Sequence, residues 1–483
     1  MATTRVYTVQ APSPPRLPTP TLEYDIQYQT QLLNVLRLYF NRLTTILGEI
    51  GVAGDTGIYP AGTAGDAFGR MRSSEPYTLF QSQSRYAPSN GYVSDLNSTH
   101  PTPELYNANE SSIDLNVNFA SGEYVTRQSA RVFPYQPGKS LLVMSTFAMG
   151  PFLENNLQQV GYFNDDNGVF FERDIAGVLN FVLRSNSAPN PGTVTNTTVP
   201  QSNWNGDKLD GTGSSGITLD PTKAQIFFAD FEWLGVGQVR CGFVLEGRLI
   251  VCHSFFNANS LSTTYMTTAT LPVRSHIENT SAVPTGPNTP FLKTICNTVI
   301  SEGGFSDISK DYFASEDTVT TITAGGVGTP GNYVPLAAIR LPAARNGAVI
   351  LPKEITFFPT TNQLYEVVLC QLDDDGVYLN TTPANTWTIH PGTANIEFAT
   401  NTNNGLVFTV QPPTQSIVQR AYVSSTAQSR TVLSTLTDYN WDLQLGYDPF
   451  INRSQLLVLA VRTVDGATNG SGVGSLSFYD LTQ

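Results

Sequence analysis

Several segments contain the residue types of nucleotide-binding sites, but each lacks the setting that this chemistry needs. Residues 211–216, GTGSSG, match the glycine pattern of a dinucleotide-binding loop. That loop lies between a strand and a helix, whose N-terminus faces the pyrophosphate. Here ITLDPTKAQIFF follows and predicts a strand. The segment GKS at 138–140 ends like a phosphate loop, but Phe133 replaces the required first glycine. We therefore predict no cofactor site.

Acidic turns and metal-ligating side chains are also present without the required spacing. The turns DDNG at 165–168 and DDDG at 373–376 carry Phe163 and Gln371 where a calcium loop needs an oxygen ligand, so hairpin turns are the better interpretation. No pair among the histidines or cysteines has metal-ligand spacing; these residues are His100, His253, His276, His390, Cys241, Cys252, Cys296 and Cys370. We predict no metal site, no catalytic residues and no enzymatic activity. Carboxylate pairs that cleave glycosidic bonds assemble only in space, so the sequence does not reveal them.

The composition favours β-structure and disfavours nucleic acid and membrane as partners. The chain has 483 residues, 40% of them hydrophobic and only 13% charged, with a net charge of −13. Nucleic-acid binding needs clustered Lys and Arg, and no basic run is present. No segment approaches the roughly 20 apolar residues of a membrane span. The first residues lack the apolar core of a secretion signal. We expect synthesis in a reducing cytoplasm.

The strand pattern predicts a mainly β protein built from antiparallel, jelly-roll-like β-sandwich domains. The clearest hairpin joins QVRCGFVL to RLIVCHSF through a two-residue turn, Glu246-Gly247. This turn places Phe243 opposite Ile250 and Cys241 opposite Cys252. Opposed cysteines suggest a disulfide, but the reducing compartment favours buried free thiols.

The order of segments predicts five parts, whose last boundary is soft. Residues 1–21 hold five prolines and predict an extended docking arm. Residues 22–50 predict a coiled-coil-like helix, and residues 51–110 an extended linker over neighbouring subunits. Residues 111–305 predict a central β-sandwich and residues 306–483 a C-terminal β domain, which is either a second sandwich or a continuation of the first.

The predicted helix carries a seam of apolar residues at alternating spacings of three and four, which is a heptad pattern. This pattern favours self-association, and the alternative is packing of the helix on its own β domain. One seam position is polar, Gln29. The apolar positions, our predicted oligomerisation residues, are Ile26, Leu33, Leu36, Phe40, Leu43, Leu47 and Ile50.

Several longer stretches resemble one family. TLEYDIQYQTQLLNVLRLYFNRL is similar to the N-terminal helix of virion structural, tail-fibre-like proteins of marine tailed phages, including those that infect cyanobacteria. ARVFPYQPGKSLLVM, VGYFNDDNGVFFE, the segment from WNGDKLDG to CHSFFNAN, and CNTVISEGG resemble the same group. The resemblance covers residues 22–48 and about 125–304. It implies a location on the particle and a homotrimer, and no catalytic residue is carried over.

These observations predict a structural component of a tailed-phage virion. In the leading hypothesis a trimeric fibre, spike or decoration subunit binds other virion proteins through residues 1–110. Its β domains face outward, towards a host surface glycan or protein. The subunit is made in the host cytoplasm and ends on the particle surface. One alternative is a purely architectural capsid or tail protein without host contact, and a third interpretation is a glycan depolymerase.

Overall fold

The computed structural model describes residue 29, residues 31–38 and residues 75–482, apart from 90, 188–191, 234–236, 288, 307–308, 317, 382–385, 425–430, 434–440 and 465–467; the side chains of 431–433 are also not described. The chain divides into two compact units, Met1–Glu75 and Pro76–Gln483. In the first unit, residues 31–38 are helical. Leu33 is 65% exposed there and Leu36 is half-buried. The remaining apolar seam positions lie outside the described residues, as do the arm at 1–21 and residues 51–74 and 90 of the predicted linker.

The first part of the second unit is built from strands alone, apart from one short 3₁₀ helix, Gln201–Asn203. The described strands in chain order are β1 (Tyr77–Gln83), β2 (Tyr92–Asn97), β3 (Glu104–Asn107), β4 (Ser112–Asn116), β5 (Tyr124–Ser129), β6 (Leu141–Met149), β7 (Asn156–Phe163), β8 (Gly168–Arg173), β9 (Leu179–Ser185), β10 (Thr195–Pro200), β11 (Gln225–Phe231), β12 (Gln238–Leu245), β13 (Arg248–Phe256), β14 (Val273–Asn279) and β15 (Phe291–Ser301).

These strands form two antiparallel sheets that enclose an aromatic core. Among the described residues the first sheet has the order β13-β12-β11-β6-β15-β4-β3, with β1 also paired to β15. The second sheet has the order β10-β9-β8-β7-β14-β5-β2. Phe171 and Phe181 of the second sheet meet Phe227 and Phe243 of the first, and Trp204 stacks on Phe181 with ring centroids 4.2 Å apart. The predicted class, a mainly β antiparallel sandwich, is confirmed.

The rest of the unit continues with shorter and longer strands. They are β16 (Lys310–Ser315), β17 (Thr320–Ile322), β18 (Val334–Arg340), β19 (Ile350–Pro359), β20 (Leu364–Asp373), β21 (Leu379–Asn380), β22 (Thr388–Ile389), β23 (Glu397–Thr400), β24 (Val407–Phe408), β25 (Ile417–Ser424), β26 (Thr431–Leu433), β27 (Tyr447–Asp448), β28 (Arg453–Thr463) and β29 (Gly470–Asp480). The described helices here are one α-turn, Asn401–Asn404, and the 3₁₀ turns Ala343–Arg345, Thr414–Ser416 and Trp441–Leu443. No helix within the described ranges is long and apolar enough to cross a membrane.

This second group of strands forms another sandwich. Its described strands give a five-stranded sheet, β16-β29-β19-β26 with β17 on β29, and a seven-stranded sheet, β22-β23-β18-β28-β20-β25 with β27 on β28; β21 and β24 pair separately. Strand β28 is apolar on both faces because Leu457 and Leu459 enter the core between the sheets, whereas Leu456 and Val458 enter a second cluster on the opposite side. A continuous apolar run is typical of such a doubly covered strand.

The predicted linker over 51–110 is wrong where the structure describes it as strand. Tyr77–Gln83, Tyr92–Asn97 and Glu104–Asn107 all belong to the sandwich. The strand pattern is weak in the sequence because β1 contains an irregularity between Thr78 and Phe80, and because β2 and β3 are edge strands. Edge strands are half-exposed, so they need no strict apolar alternation.

The predicted strand register at the two hairpin cysteines is also wrong, because Cys241 does not lie opposite Cys252. Phe243 does face Ile250, but Cys241 pairs with His253, because the register shifts between Cys241 and Gly242. A side chain at position 242 would place its Cβ 1.9 Å from the Ile250 carbonyl oxygen. The bulge therefore depends on a glycine, which lets the two backbones approach. All four cysteines are free thiols.

We predict that thiol titration will separate one cysteine from the other three. Burial raises the pKa of the Cys241 and Cys252 thiols, and raises that of Cys370 to about 12, so their reactive thiolates are scarce in the native protein. Cys296 is half-exposed. We expect one fast-reacting thiol in native protein and four after denaturation without reductant. Cys296→Ser should remove the fast phase, and fewer than four thiols on denaturation would contradict the free state.

Candidate functional site

A row of polar side chains crosses the outer face of the second sheet. Successive residues of a strand point to opposite faces, and every member of this row except the one on β2 has a neighbour in the core between the sheets. The members are direct cross-strand partners on six adjacent strands, β2, β5, β14, β7, β8 and β9. In that order, this polar row consists of Asp95, Thr126, His276, Gln159, Glu172 and Asn180.

Hydrogen bonds hold much of the polar row in a defined geometry. Gln159 Nε2 donates to Glu172 Oε2 over 2.6 Å, and the Thr126 hydroxyl lies 2.8 Å from His276 Nδ1. The other imidazole nitrogen, Nε2, lies 3.3 Å from a carboxylate oxygen of Glu278, two residues along β14. Two of these contacts join neighbouring strands and the third lies within β14, so the side chains of His276, Gln159 and Glu172 are preorganised before any ligand binds.

Two carboxyl groups on this face have pKa values that move in opposite directions. Burial raises the pKa of Glu172. The hydrogen bond from His276 lowers the pKa of Glu278. Groups whose environments separate their pKa values in this way are suited to act as an acid and a base, respectively. The face therefore offers one carboxyl that retains a proton to higher pH and one that stays ionised.

An aromatic and cationic cluster lies on the same face beside the polar row. Phe163, Phe170 and Val182 form a separate buried cluster. Arg184 covers it, with its guanidinium carbon 4.9 Å from the Phe170 ring centre. Arg274 lies 5.5 Å from the Phe163 ring centre and pairs with a carboxylate of the β7–β8 turn over 2.5 Å. Arg274 is buried and Arg184 is half-exposed, so the guanidinium of Arg184 is the solvent-facing group of this cluster.

The segments with nucleotide-site patterns have structural explanations. The loop at 211–216 is closed by a bridge between Asp210 and Thr218, and a carboxylate oxygen of Asp207 accepts from Ser215 N over 2.7 Å. It is not followed by a helix. Lys139, in the GKS segment, donates to Gln136 over 2.8 Å.

The first acidic turn is a hairpin turn, as predicted, because β7 pairs with β8. The second is not, because β20 pairs with β25 and β28, and the next described strand, β21, pairs with β24. Residues 165–168 join β7 to β8, and residues 373–376 follow β20. Across the described ranges, no group of three or more His, Cys, Asp or Glu side chains could hold a metal ion. The four histidines are dispersed, and only His276 belongs to the polar row.

Sequence reasoning missed the polar row entirely. Alternation alone could have placed Gln159, Glu172 and His276 on outward positions of their strands. It could not show that they are neighbours, because the pairing of β14 with β7 joins residues more than 100 positions apart. Each side chain, taken singly, resembles an ordinary polar residue of an exposed strand.

Comparison with known proteins gives only distant structural similarity. No family model and no curated protein matches the chain. The carbohydrate recognition domain of Emp47p is 11% identical, covers 49% of this chain and 98% of its own, and has a TM-score of 0.30. The CBM2 module of the evolved Dit of Lactobacillus casei BL23 phage J-1 is 6% identical, with coverages of 48% and 98% and a TM-score of 0.30. The chain is thus distantly similar to β-sandwich domains named for carbohydrate binding.

The expectation that the chain is not an enzyme is corrected. Similar structures include a glycoside hydrolase family protein from Mycobacterium thermorestibile, 10% identical with a TM-score of 0.31, which covers 46% of this chain and 99% of its own. A putative β-glucanase from Mycobacterium abscessus is 9% identical with the same TM-score, and covers 46% of this chain and 100% of its own. These names contradict an exclusion of enzymatic activity. At this similarity they assign no activity to the chain.

We predict opposite effects on stability for the two carboxyl groups of this face. The folded-state pKa of Glu172 is raised, so its ionisation opposes folding above the unfolded pKa of about 4.3. Glu172→Gln should therefore raise the free energy of unfolding at pH 7 by about 1 kcal/mol, with no gain below pH 4.

Glu278→Gln is the matched variant for this measurement. Its folded-state pKa is lowered, so its stabilisation is present above the unfolded pKa and is lost as the pH falls through the folded pKa. The variant should lose stability at pH 7 and match the wild type in acid. Urea unfolding between pH 3 and 7 measures both, and shifts of the same sign at pH 7 would contradict the assignment.

Proposed function

We propose that this chain is a structural subunit of a tailed-phage particle whose first sandwich binds glycans of the host surface. The supporting observation is the polar row, a set of in-register hydrogen-bonding side chains braced across six strands. Sugars present several hydroxyl groups at fixed spacings. The half-exposed members Asp95, Glu172 and His276 can bond them without first losing side-chain freedom, whereas Thr126, Gln159 and Asn180 are buried.

The charges on this face suit a neutral or mixed-charge glycan better than a polyanion. Glu278 and Asp95 are half-exposed carboxylates, and Tyr124 donates a hydrogen bond to Asp95 over 3.0 Å. Arg184 and Arg274 lie at the other side of the face. Carboxylates accept hydrogen bonds and guanidinium groups donate them, whereas a sugar hydroxyl does both. The two sides of the face can therefore bond the hydrogen and the oxygen of such hydroxyl groups.

The particle location is supported by the resemblance of residues 22–48 and 125–304 to phage virion proteins. Leu33 and Leu36 lie on the described helical turn, and Leu33 is 65% exposed. An exposed apolar residue at a seam position is suited to burial against a second helix. Three copies would present three sandwiches, and repetition of a weak contact can raise avidity by roughly 10²–10⁴.

Glycan hydrolysis is a second candidate, favoured by the opposite pKa directions of Glu172 and Glu278. Glycosidases use one carboxylic acid to protonate the leaving oxygen and one carboxylate as base or nucleophile. Glu172 would supply the proton and Glu278 the carboxylate. His276, hydrogen-bonded to Glu278, would keep that carboxylate ionised.

We expect the outer face to determine binding to host polysaccharide. Substitution of His276 by Ala or Glu278 by Gln should weaken binding of the full chain to purified host surface polysaccharide at least tenfold, because the first removes the imidazole and the second removes the carboxylate that bonds it. Arg248→Gln, in the exposed β12–β13 turn, is the control. Equal binding by all variants would place the glycan site elsewhere on the chain, and absence of binding by the wild type would favour the purely architectural alternative. Release of reducing sugar by wild type but not by Glu172→Gln would establish hydrolysis.

We expect the predicted helix at residues 22–50 to determine the oligomeric state. Multi-angle light scattering of the full chain should give about three times 52.5 kDa, whereas a chain without residues 1–50 should be monomeric. Leu33→Ser combined with Leu36→Ser should weaken the trimer without truncation, and Arg37→Ser on the same helix should not. A persisting trimer in the truncated chain would place the subunit contacts in the β region.

A further inference from the structure

Arg173, the last residue of β8, is a buried cation without a described counter-charge. It follows Glu172 of the polar row and points to the opposite side of the sheet. Arg173 is 3% exposed. Its Nη1 donates to the Gly150 carbonyl over 2.8 Å and its Nη2 to the Pro151 carbonyl over 3.4 Å. Its buried Nε has no hydrogen-bond partner among the described residues.

The guanidinium of Arg173 keeps its charge. Burial is the cause of its lowered pKa, which is about 10, so the group is protonated at neutral pH. No ion pair in the described ranges includes it. A guanidinium has five N–H groups, and the two carbonyls use two of them. Buried charges are normally paired, so this site is suited to an anion from outside the chain.

A pocket of about 470 Å³ lies beside Arg173. This volume falls within the range of roughly 300–1,000 Å³ that is typical of ligand sites. Polar side chains of Gln201, Ser202 and Thr222 line part of its wall, and Phe152 lines another part. The pocket therefore combines a buried cation, neutral hydrogen-bonding groups and an aromatic ring.

The ring of Phe152 lies against Gly177 on one side and is exposed to solvent on the other. Phe152 is 48% exposed. A Cβ at position 177 would lie 2.9 Å from its Cε2 atom, and Gly177 has a φ of +85°, which other residues rarely adopt. The glycine thus allows the ring to lie against the β8–β9 turn. The lining of this pocket is more apolar than polar, and an exposed aromatic ring within it can cover the apolar face of a sugar ring.

Asp174 follows Arg173 and Asp220 precedes the lining residue Pro221, and both accept hydrogen bonds within their own turns. Asp174 Oδ1 accepts from the backbone of Ala176 and Val178, each over 2.9 Å. Asp220 Oδ1 accepts from the backbone and hydroxyl of Thr222. Lys208 adds a second cation at the rim, because its Nζ donates to the Ser202 carbonyl over 2.6 Å. Hydrogen bonds do not neutralise a carboxylate, so preference for an anion depends on direct contact with the guanidinium of Arg173 and not on the summed charge around the pocket.

We propose that this pocket binds a carboxylate-bearing sugar unit, with the carboxylate on Arg173 and the sugar ring on Phe152. Gln201 Nε2 and the Thr222 hydroxyl already donate within the chain, so the side-chain oxygens of Gln201, Ser202 and Thr222 are the groups left to accept from ring hydroxyls. The pocket opens at the β8–β9 turn, whereas the polar row lies on the outer sheet face. The proposal therefore does not depend on the polar row, and the two sites are tested by separate variants.

Isothermal titration of the full chain with monosaccharides tests this assignment. D-glucuronate should bind at least tenfold more tightly than D-glucose, and added salt should weaken it. Galactose 6-sulfate and inorganic phosphate distinguish a carboxylate site from a general anion site. Binding of phosphate as tight as that of glucuronate would overturn the sugar assignment, and equal binding of glucuronate and glucose would overturn the role of Arg173.

Substitutions of single residues test whether glucuronate binds in this pocket. Phe152→Ala removes a half-exposed ring and should weaken glucuronate binding at least fivefold without affecting folding. Arg173→Lys keeps the charge but loses the planar fork, so a tenfold loss is expected. Phe256→Ala, on the exposed edge strand β13, is the control. If Arg173→Lys does not fold, Phe152→Ala decides. Loss in Glu278→Gln but not in Phe152→Ala would move the site to the outer face and reject this proposal.

Discussion

The aromatic core between the two sheets of the first sandwich is the interaction on which the remaining features depend. Phe171, Phe181, Phe227 and Phe243 pack across the interior with ring centroids 5.1–6.3 Å apart. Burial of such rings is the largest favourable contribution that a strand pair can make. Once Phe171 points inward, strand geometry sends Glu172 outward and turns Arg173 inward again. The inward position of Phe171 thus fixes the directions in which Glu172 and Arg173 point.

The two halves of the second unit are joined by aromatic packing and by backbone hydrogen bonds. Trp441 packs edge-on against Phe305, with ring centroids 5.1 Å apart, and its Nε1 donates to the Tyr77 hydroxyl. The backbone of Tyr447 donates to the Ala130 carbonyl over 2.9 Å. Strand β1, which sequence reasoning placed in a linker, is therefore part of the contact between the sandwiches. Its removal would expose apolar surface on both of them.

The outer face and the pocket at the β8–β9 turn differ in how they accommodate charge. On the outer face, carboxylates and guanidinium groups neutralise each other through bonds such as that of Arg274 with Asp165. At the pocket, Arg173 is solvated only by two carbonyl groups among its described contacts. Paired charges make a surface that is ready for neutral hydroxyl groups. An unpaired buried charge makes a site whose stability increases when an anion binds.

The sequence by itself determined the β class, because few charges, many β-branched residues and frequent turn residues favour pleated strands over helices. It also determined the hairpin turn at Glu246-Gly247, which is a local signal. The tertiary structure alone decided the bulge that pairs Cys241 with His253, and the inclusion of 77–107 in the sandwich. It also assembled the polar row from strands as distant as Thr126 and His276. The physical reason is that turns and alternation act over a few residues, whereas register between distant strands is set by packing of the whole core.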